Sequence, residues 1–120
     1  MTQNDRDLLL KDLCARLPYG VKVQAFRRHS EEDPTIIGYP YTLDFIMMSI
    51  MFKDNIEEYK PYLFPLSSMT AEQKTSHNFL KHSAYANPVK LIDWYIKNHF
   101  DYRGLIPMGL AIDATGLNIY

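Results

Sequence analysis

One cysteine, Cys14, is present in 120 residues, so no disulfide can close within the chain, and a reducing compartment fits it best. It stands among Leu9, Leu10, Leu13 and Leu17, where a free thiol packs as a small hydrophobe, and burial is expected. An excess of charge of either sign is also missing: 13 basic residues face 14 acidic ones for a net charge of -1. With no long-range field to attract a phosphate backbone or an anionic bilayer, generic nucleic-acid or membrane-surface binding is disfavoured. Long apolar runs are lacking too. The most apolar stretch, Phe45 to Phe52, has eight residues, against the roughly 20 of a membrane-spanning helix. The opening residues, MTQNDRDLLL, lack the basic start and extended apolar run of a secretory signal, so export is not expected and a cytoplasmic location is. The five glycines are dispersed, which leaves no phosphate-cradling loop.

What is present suffices for a folded body. Hydrophobic residues make up 47% of the chain, with 6 Phe, 9 Tyr and 1 Trp among them, more apolar surface than a disordered segment carries. The length suits one domain, 1–120, able to bury a core without metals or disulfides.

The spacing of Leu9, Leu10, Leu13, Cys14 and Leu17 predicts a first helix, with Asn4 and Asp5 as candidate caps and a stop at Pro18, Tyr19 and Gly20. Val21, Val23 and Ala25 then alternate with Lys22 and Gln24 as in a half-buried strand. The charged stretch from Arg27 to Pro34 reads as a loop or wide hairpin connection, and Thr35 to Tyr39 as a second strand. From Tyr41 to Phe52 two periods compete. Leu43, Ile46, Met47, Ile50 and Met51 would make a helical stripe, whereas Tyr41, Leu43, Phe45 and Met47 alternate; isoleucine and aromatic content favours a strand. Lys60 to Leu66 is bounded by prolines and reads as an extended connector that continues neither ladder nor helix. Thr70 and Gln73 have capping-box spacing, which predicts a helix from Ala71 to His82. Asn87 and Pro88 mark another start ahead of Val89, Ile92, Ile96 and His99, with an end near Asn98. Leu110 to Ile112 and Leu117 to Tyr120 suggest a terminal hairpin.

Few groups combine into chemistry. His77 and His82 are five apart, about 140° around a helix, which is the wrong geometry for a metal pair. His77 and His99 each stand three residues from an apolar neighbour, at the edge of an apolar face, where a partly buried structural ring is expected. Ser67 and Ser68 lack a nucleophile elbow. Glu31, Glu32 and Asp33, like Glu57 and Glu58, lie in polar surroundings that leave carboxylates solvated. Arg27, Arg28, His29 and Lys22 form a basic cluster offset at once by those acids, and Lys74 with Lys81, then Lys90 with Lys97, are pairs seven apart, each read as a solvated helical face. No catalytic, metal or cofactor site is assigned. An enzyme would need Cys14 with His99, and a buried Cys14 would remove that pair.

Two blocks, Ile56-Glu-Glu-Tyr-Lys-Pro-Tyr-Leu-Phe-Pro-Leu-Ser-Ser-Met-Thr70 and Asp93-Trp94 followed by His99-Phe-Asp-Tyr-Arg-Gly-Leu-Ile-Pro-Met-Gly-Leu-Ala111, resemble those of small proteins, without known activity, encoded by Bacteroides genomes, prophages and phages. The resemblance covers about a third of the chain and implies a bacterial or phage cytoplasm and an accessory role. It supplies no catalytic residues. The chain departs from the pattern at Phe64, where an arginine is expected, and after Thr70, where an acidic run is diluted to Ala-Glu-Gln-Lys, which puts charge-based binding shared by the group in doubt.

The expected architecture is α+β: an N-terminal helix and two C-terminal helices packed on a small antiparallel sheet from residues 21–52. The expected function is non-enzymatic protein interaction, with a foreign partner or a second copy. Its candidate surface is Met48, Tyr59, Tyr62, Phe64, Trp94, Tyr102 and Arg103, aromatic-rich positions that a small domain also uses to close its core. The alternative is a small regulatory or anti-defence module binding nucleic acid or an anionic ligand, which requires Lys22, Arg27, Arg28 and Arg103 to converge on one concave face.

Overall fold

The computed structural model describes residues 1–28, 34–53, 56–83 and 88–120. His29, Glu31, Glu32, Asp33 and the Asn87 cap therefore lie outside the described residues, as do the side chains of Arg27 and Arg28. The first helix, α1 (Gln3–Arg16), is capped by Thr2 rather than by Asn4 or Asp5. The Asp5 amide donates to Thr2 Oγ1 at 3.1 Å and the Thr2 amide donates back to the Asp5 carboxylate at 3.3 Å, a reciprocal box that satisfies two N-terminal donors. The helix turns Leu9, Asp12, Leu13 and Arg16 inward, spaced three and four apart, while Cys14 is exposed, against the burial expected of it. A single 3-10 turn, Leu17–Tyr19, and Gly20 at φ 71° reverse the chain.

Strand β1 (Lys22–Arg28) is the spine of the sheet. On one side it pairs antiparallel with β2 (Pro34–Thr42), and on the other with β3 (Tyr59–Leu63). β3 is the segment expected to be an unpaired connector. Pro61 is tolerated in it because it faces Val23 of β1 where β3 has no second neighbour; that neighbour, β4 (Ile112–Asp113), joins in parallel only from Tyr62. The sheet, ordered β2-β1-β3-β4, is thus mixed, with three antiparallel strands and one parallel edge. The terminal hairpin does not form. Ile112–Asp113 pairs instead with the open edge of β3, and Asp113 accepts the Thr115 amide to turn the tail away.

The alternation expected in β1 fails at Gln24, which is buried. Between Val23↔Tyr41 and Ala25↔Ile37 strand β2 carries extra residues around Gly38, whose φ is 67°. The Gln24 amide fills that bulge, donating to the Ile37 and Gly38 carbonyls at 3.1 Å each, and its Oε1 accepts the Tyr62 hydroxyl at 2.8 Å. A buried amide with its bonds made is stable where an unpaired one costs about 1–3 kcal/mol.

Residues 45–53 are not a strand. Thr42 pairs with Lys22, the first residue of β1, so beyond it no partner strand remains, and Asp44 then starts α2 (Phe45–Lys53) by accepting the Met47 amide at 2.8 Å. The inward stripe of α2 is Met47, Met48 and Met51, not Ile46 and Ile50, which stay exposed. α1, α2 and the turn at 105–111 enclose one core with β1 and β3: Leu9, Leu13, Val21, Val23, Met48, Met51, Leu63, Leu105 and Leu110 are all buried. Asp101 braces this turn, its carboxylate accepting the Leu105 and Ile106 amides at 2.8 and 2.9 Å.

α3 (Ala71–Ser83) forms on the expected Thr70/Gln73 box, with both reciprocal bonds present at 2.9 and 3.1 Å. α4 (Pro88–Lys97) starts at the expected proline. The fold is α+β, but these two helices contribute little to the core: α3 buries none of its residues and α4 buries Ile96. They pack on each other at one side of a body measuring 46 × 26 × 24 Å.

Candidate functional site

Of the side chains expected to form an interaction surface, Met48 and Tyr62 belong to the interior, only 4% and 6% exposed, and cannot form a docking face. Tyr59, Phe64, Trp94, Tyr102 and Arg103 are half-buried. Three of these are joined in one aromatic array. Phe64 meets Phe100 at 6.3 Å, Phe100 stacks on Trp94 at 5.4 Å, Trp94 meets Tyr95 edge-on at 5.8 Å, and Tyr95 stacks on Tyr102 at 5.5 Å. The array ties α4 to the segment after it, and to β3 through the Phe64 and Phe100 backbones.

At one end of the array lies an internal charge network. Asp12 and Arg16 are both inaccessible to solvent; Arg16 Nε donates to Asp12 Oδ2 at 2.7 Å and its Nη2 donates to the Phe100 carbonyl at 2.6 Å. Arg103 donates to the other Asp12 oxygen at 3.1 Å and lies 4.8 Å over the Tyr102 ring. Its Nε is thus engaged within the protein. His99 stacks on Tyr120 at 3.8 Å, and burial together with the nearby Arg16 pushes its pKa down to about 4. The Tyr120 hydroxyl donates to the Tyr62 carbonyl at 2.6 Å and accepts the Lys22 amide at 2.8 Å; burial drives its pKa up to about 12. Neutral rings and paired charges of this kind hold a structure together, although Arg16 Nη1 and His99 Nδ1 are buried without a hydrogen-bond partner among the described residues.

Midway along, at Trp94, the array opens. Trp94 faces a cleft of about 360 Å³ lined by Tyr19, Leu80, Lys90, Asp93 and Lys97. His77 supports the indole without lining the cleft: its ring stacks near Trp94 at 5.8 Å and its Nε2 lies 2.5 Å from the Tyr95 hydroxyl. Burial, and then Lys81, lower the His77 pKa and favour the neutral ring. From the sequence, Tyr19 was legible only as a helix stop, and Lys90 and Lys97 only as a solvated face. The signal for the cleft is the tryptophan between two lysines seven apart.

No family model, curated protein or solved structure matches this chain. What it can do rests on its own surfaces. Among the described residues no three His, Cys, Asp or Glu side chains gather where they could hold one metal ion. A second cleft, of about 370 Å³, is lined by Phe64, Ala114, Gly116, Asn118, Ile119 and Tyr120, which include no acid and base to work as a pair. No described helix is long and apolar enough to cross a membrane.

A further apolar exposure lies on α2. Phe45 and Ile46 are 77% and 70% exposed, Ile50 is exposed beside them, and Ser49 completes an outward arc without a charge. Just before it in sequence, Ile36, Ile37 and Tyr39 of the edge strand β2 are exposed as well.

Proposed function

We propose that the chain is a non-catalytic interaction protein of a bacterial or phage cytoplasm, which binds another protein through the outward face of α2. One observation carries this: α2 is apolar on both sides and covered on one. A helix hydrophobic all round belongs in an interior, and the methionine side of α2 is in one, whereas Phe45, Ile46 and Ile50 face outward. Full burial of such a side chain gains roughly 1.5–3 kcal/mol, most of which Phe45 and Ile46, though not the partly covered Ile50, forgo. A partner that covers them recovers it. The likeness of the two blocks at 56–70 and 93–111 to proteins of Bacteroides and their phages supports the bacterial setting and an accessory role, and the single thiol supports a reducing one.

The test compares the chain with a Phe45→Ser/Ile46→Ser double variant. Both substitutions are at exposed positions, where changes usually stay within about 0.5 kcal/mol, so the thermal midpoint should hold. The parent should self-associate by light scattering across a concentration range, or retain a distinct protein from bacterial lysate, and the variant should lose that property. A parent that is monomeric at every concentration and retains nothing the variant does not would refute the proposal.

A further inference from the structure

We propose that the Trp94 cleft is a second docking site, which takes a protein segment carrying one apolar side chain flanked by carboxylates. It uses none of the α2 residues and stands independently of the proposal above. The chain as a whole is net -1, yet residues 71–97 carry four lysines, Lys74, Lys81, Lys90 and Lys97, against two carboxylates, Glu72 and Asp93. Positive charge is thus gathered on a part of the fold that contributes little to the core. No described ion pair engages Lys90 or Lys97, both of which are exposed.

The geometry specifies the occupant further. Lys90 and Lys97 lie on one side of α4 two turns apart, about 10 Å along the axis, and both line the cleft with Trp94 and Asp93 between them in sequence. A carboxylate at the centre of the occupant would meet Asp93. Acidic groups are therefore favoured at the two ends, over the lysines, and an apolar group in the middle, over Trp94, Leu80 and Tyr19. The volume of about 360 Å³ is at the small end for ligand pockets, suited to a side-chain anchor rather than a large cofactor. The indole is held in advance by Phe100 at 5.4 Å and His77 at 5.8 Å, which lowers the ordering cost of binding. A nucleic-acid strand fits less well, because Asp93 interrupts the positive rim.

Trp94 is the chain's single tryptophan, so its fluorescence reports on the cleft directly. A peptide set with a central Leu or Phe, and Glu, Gln or Lys one or two residues away on either side, about 10 Å apart in an extended chain, is titrated onto the full chain at two salt concentrations. The Glu-flanked peptides should shift the emission saturably, with binding weakened by salt and about ten-fold weaker in a Lys90→Glu/Lys97→Glu variant. That variant should instead accept the Lys-flanked peptides. The proposal is overturned if no peptide moves the emission, if the parent binds Lys-flanked peptides equally, or if a single-stranded oligonucleotide binds more tightly than any peptide. The Phe45→Ser/Ile46→Ser variant should bind the Glu-flanked peptides unchanged; loss there would place the peptide on α2 and overturn the cleft assignment alone.

Discussion

His99 follows α4 at φ 62°, a backbone region in which asparagine is better tolerated than most side chains. Its ring is stacked on Tyr120, with burial and then Arg16 holding it neutral, and its pKa is about 4 against an ordinary 6.5. Between those two values the unfolded chain binds a proton that the native chain refuses. The stabilisation is complete above pH 6.5 and is lost as pH falls toward 4. The urea midpoint should drop across that window, and His99→Asn, which suits the left-handed backbone, should flatten the drop, leaving the part due to His77, whose pKa is also lowered. An unchanged slope in the variant would assign the effect to other groups. The edge-of-face position of His99 was legible from its spacing to Ile96; its neutrality was not, because Arg16 and Tyr120 come from distant parts of the chain. The same limit explains Cys14. Leucine periodicity locates the buried side of α1, but Asp12 and Arg16 lie inside it because of partners at Phe100 and Arg103 that no local pattern displays.

At the scale of elements, the helices decided locally are readable, apart from the Thr2 cap of α1. α3 was predicted from its capping box, and α1 and α4 from periodicity and a proline start. Elements decided by pairing were misjudged. α2 is a helix because β1 begins at Lys22 and offers nothing beyond Thr42, while β3 is a strand in spite of Pro61 because β1 has a free side there. The interaction residues divided in the same way, since an aromatic position does not reveal which side of its element is covered. α3 is the element most dependent on its own ends, for it buries none of its residues. Thr70→Ala should cost about 1 kcal/mol of local stability, seen as roughly five-fold faster hydrogen exchange of the first-turn amides with little change in the global midpoint. Unchanged exchange would mean that packing against α4, not the cap, holds the first turn.

Across the whole molecule, the Asp12 carboxylate fastens the first helix to the segment after the last one: Arg16 and Arg103 both donate to it, and Arg16 reaches the Phe100 carbonyl, 84 residues along the chain. The two ends of the sequence thereby meet under the core, which the hydrophobic cluster spanning Leu9 to Ala111 requires. Removing one member of the network is not equivalent to removing another. Arg103→Ala leaves the inaccessible Asp12–Arg16 pair intact and takes away a partly exposed partner, so it should cost about 1 kcal/mol. Asp12→Ala strands the Arg16 charge with no solvent, and the expected cost is about 3–5 kcal/mol, a large share of the roughly 5–15 kcal/mol that holds a domain together. Its urea midpoint should fall far below that of the Arg103→Ala chain, with Trp94 fluorescence and helical circular dichroism moving together because the network joins the parts they report. Equal midpoints for the two variants would show that water reaches Arg16 once Asp12 is gone, and that the leucine core alone holds the termini in place.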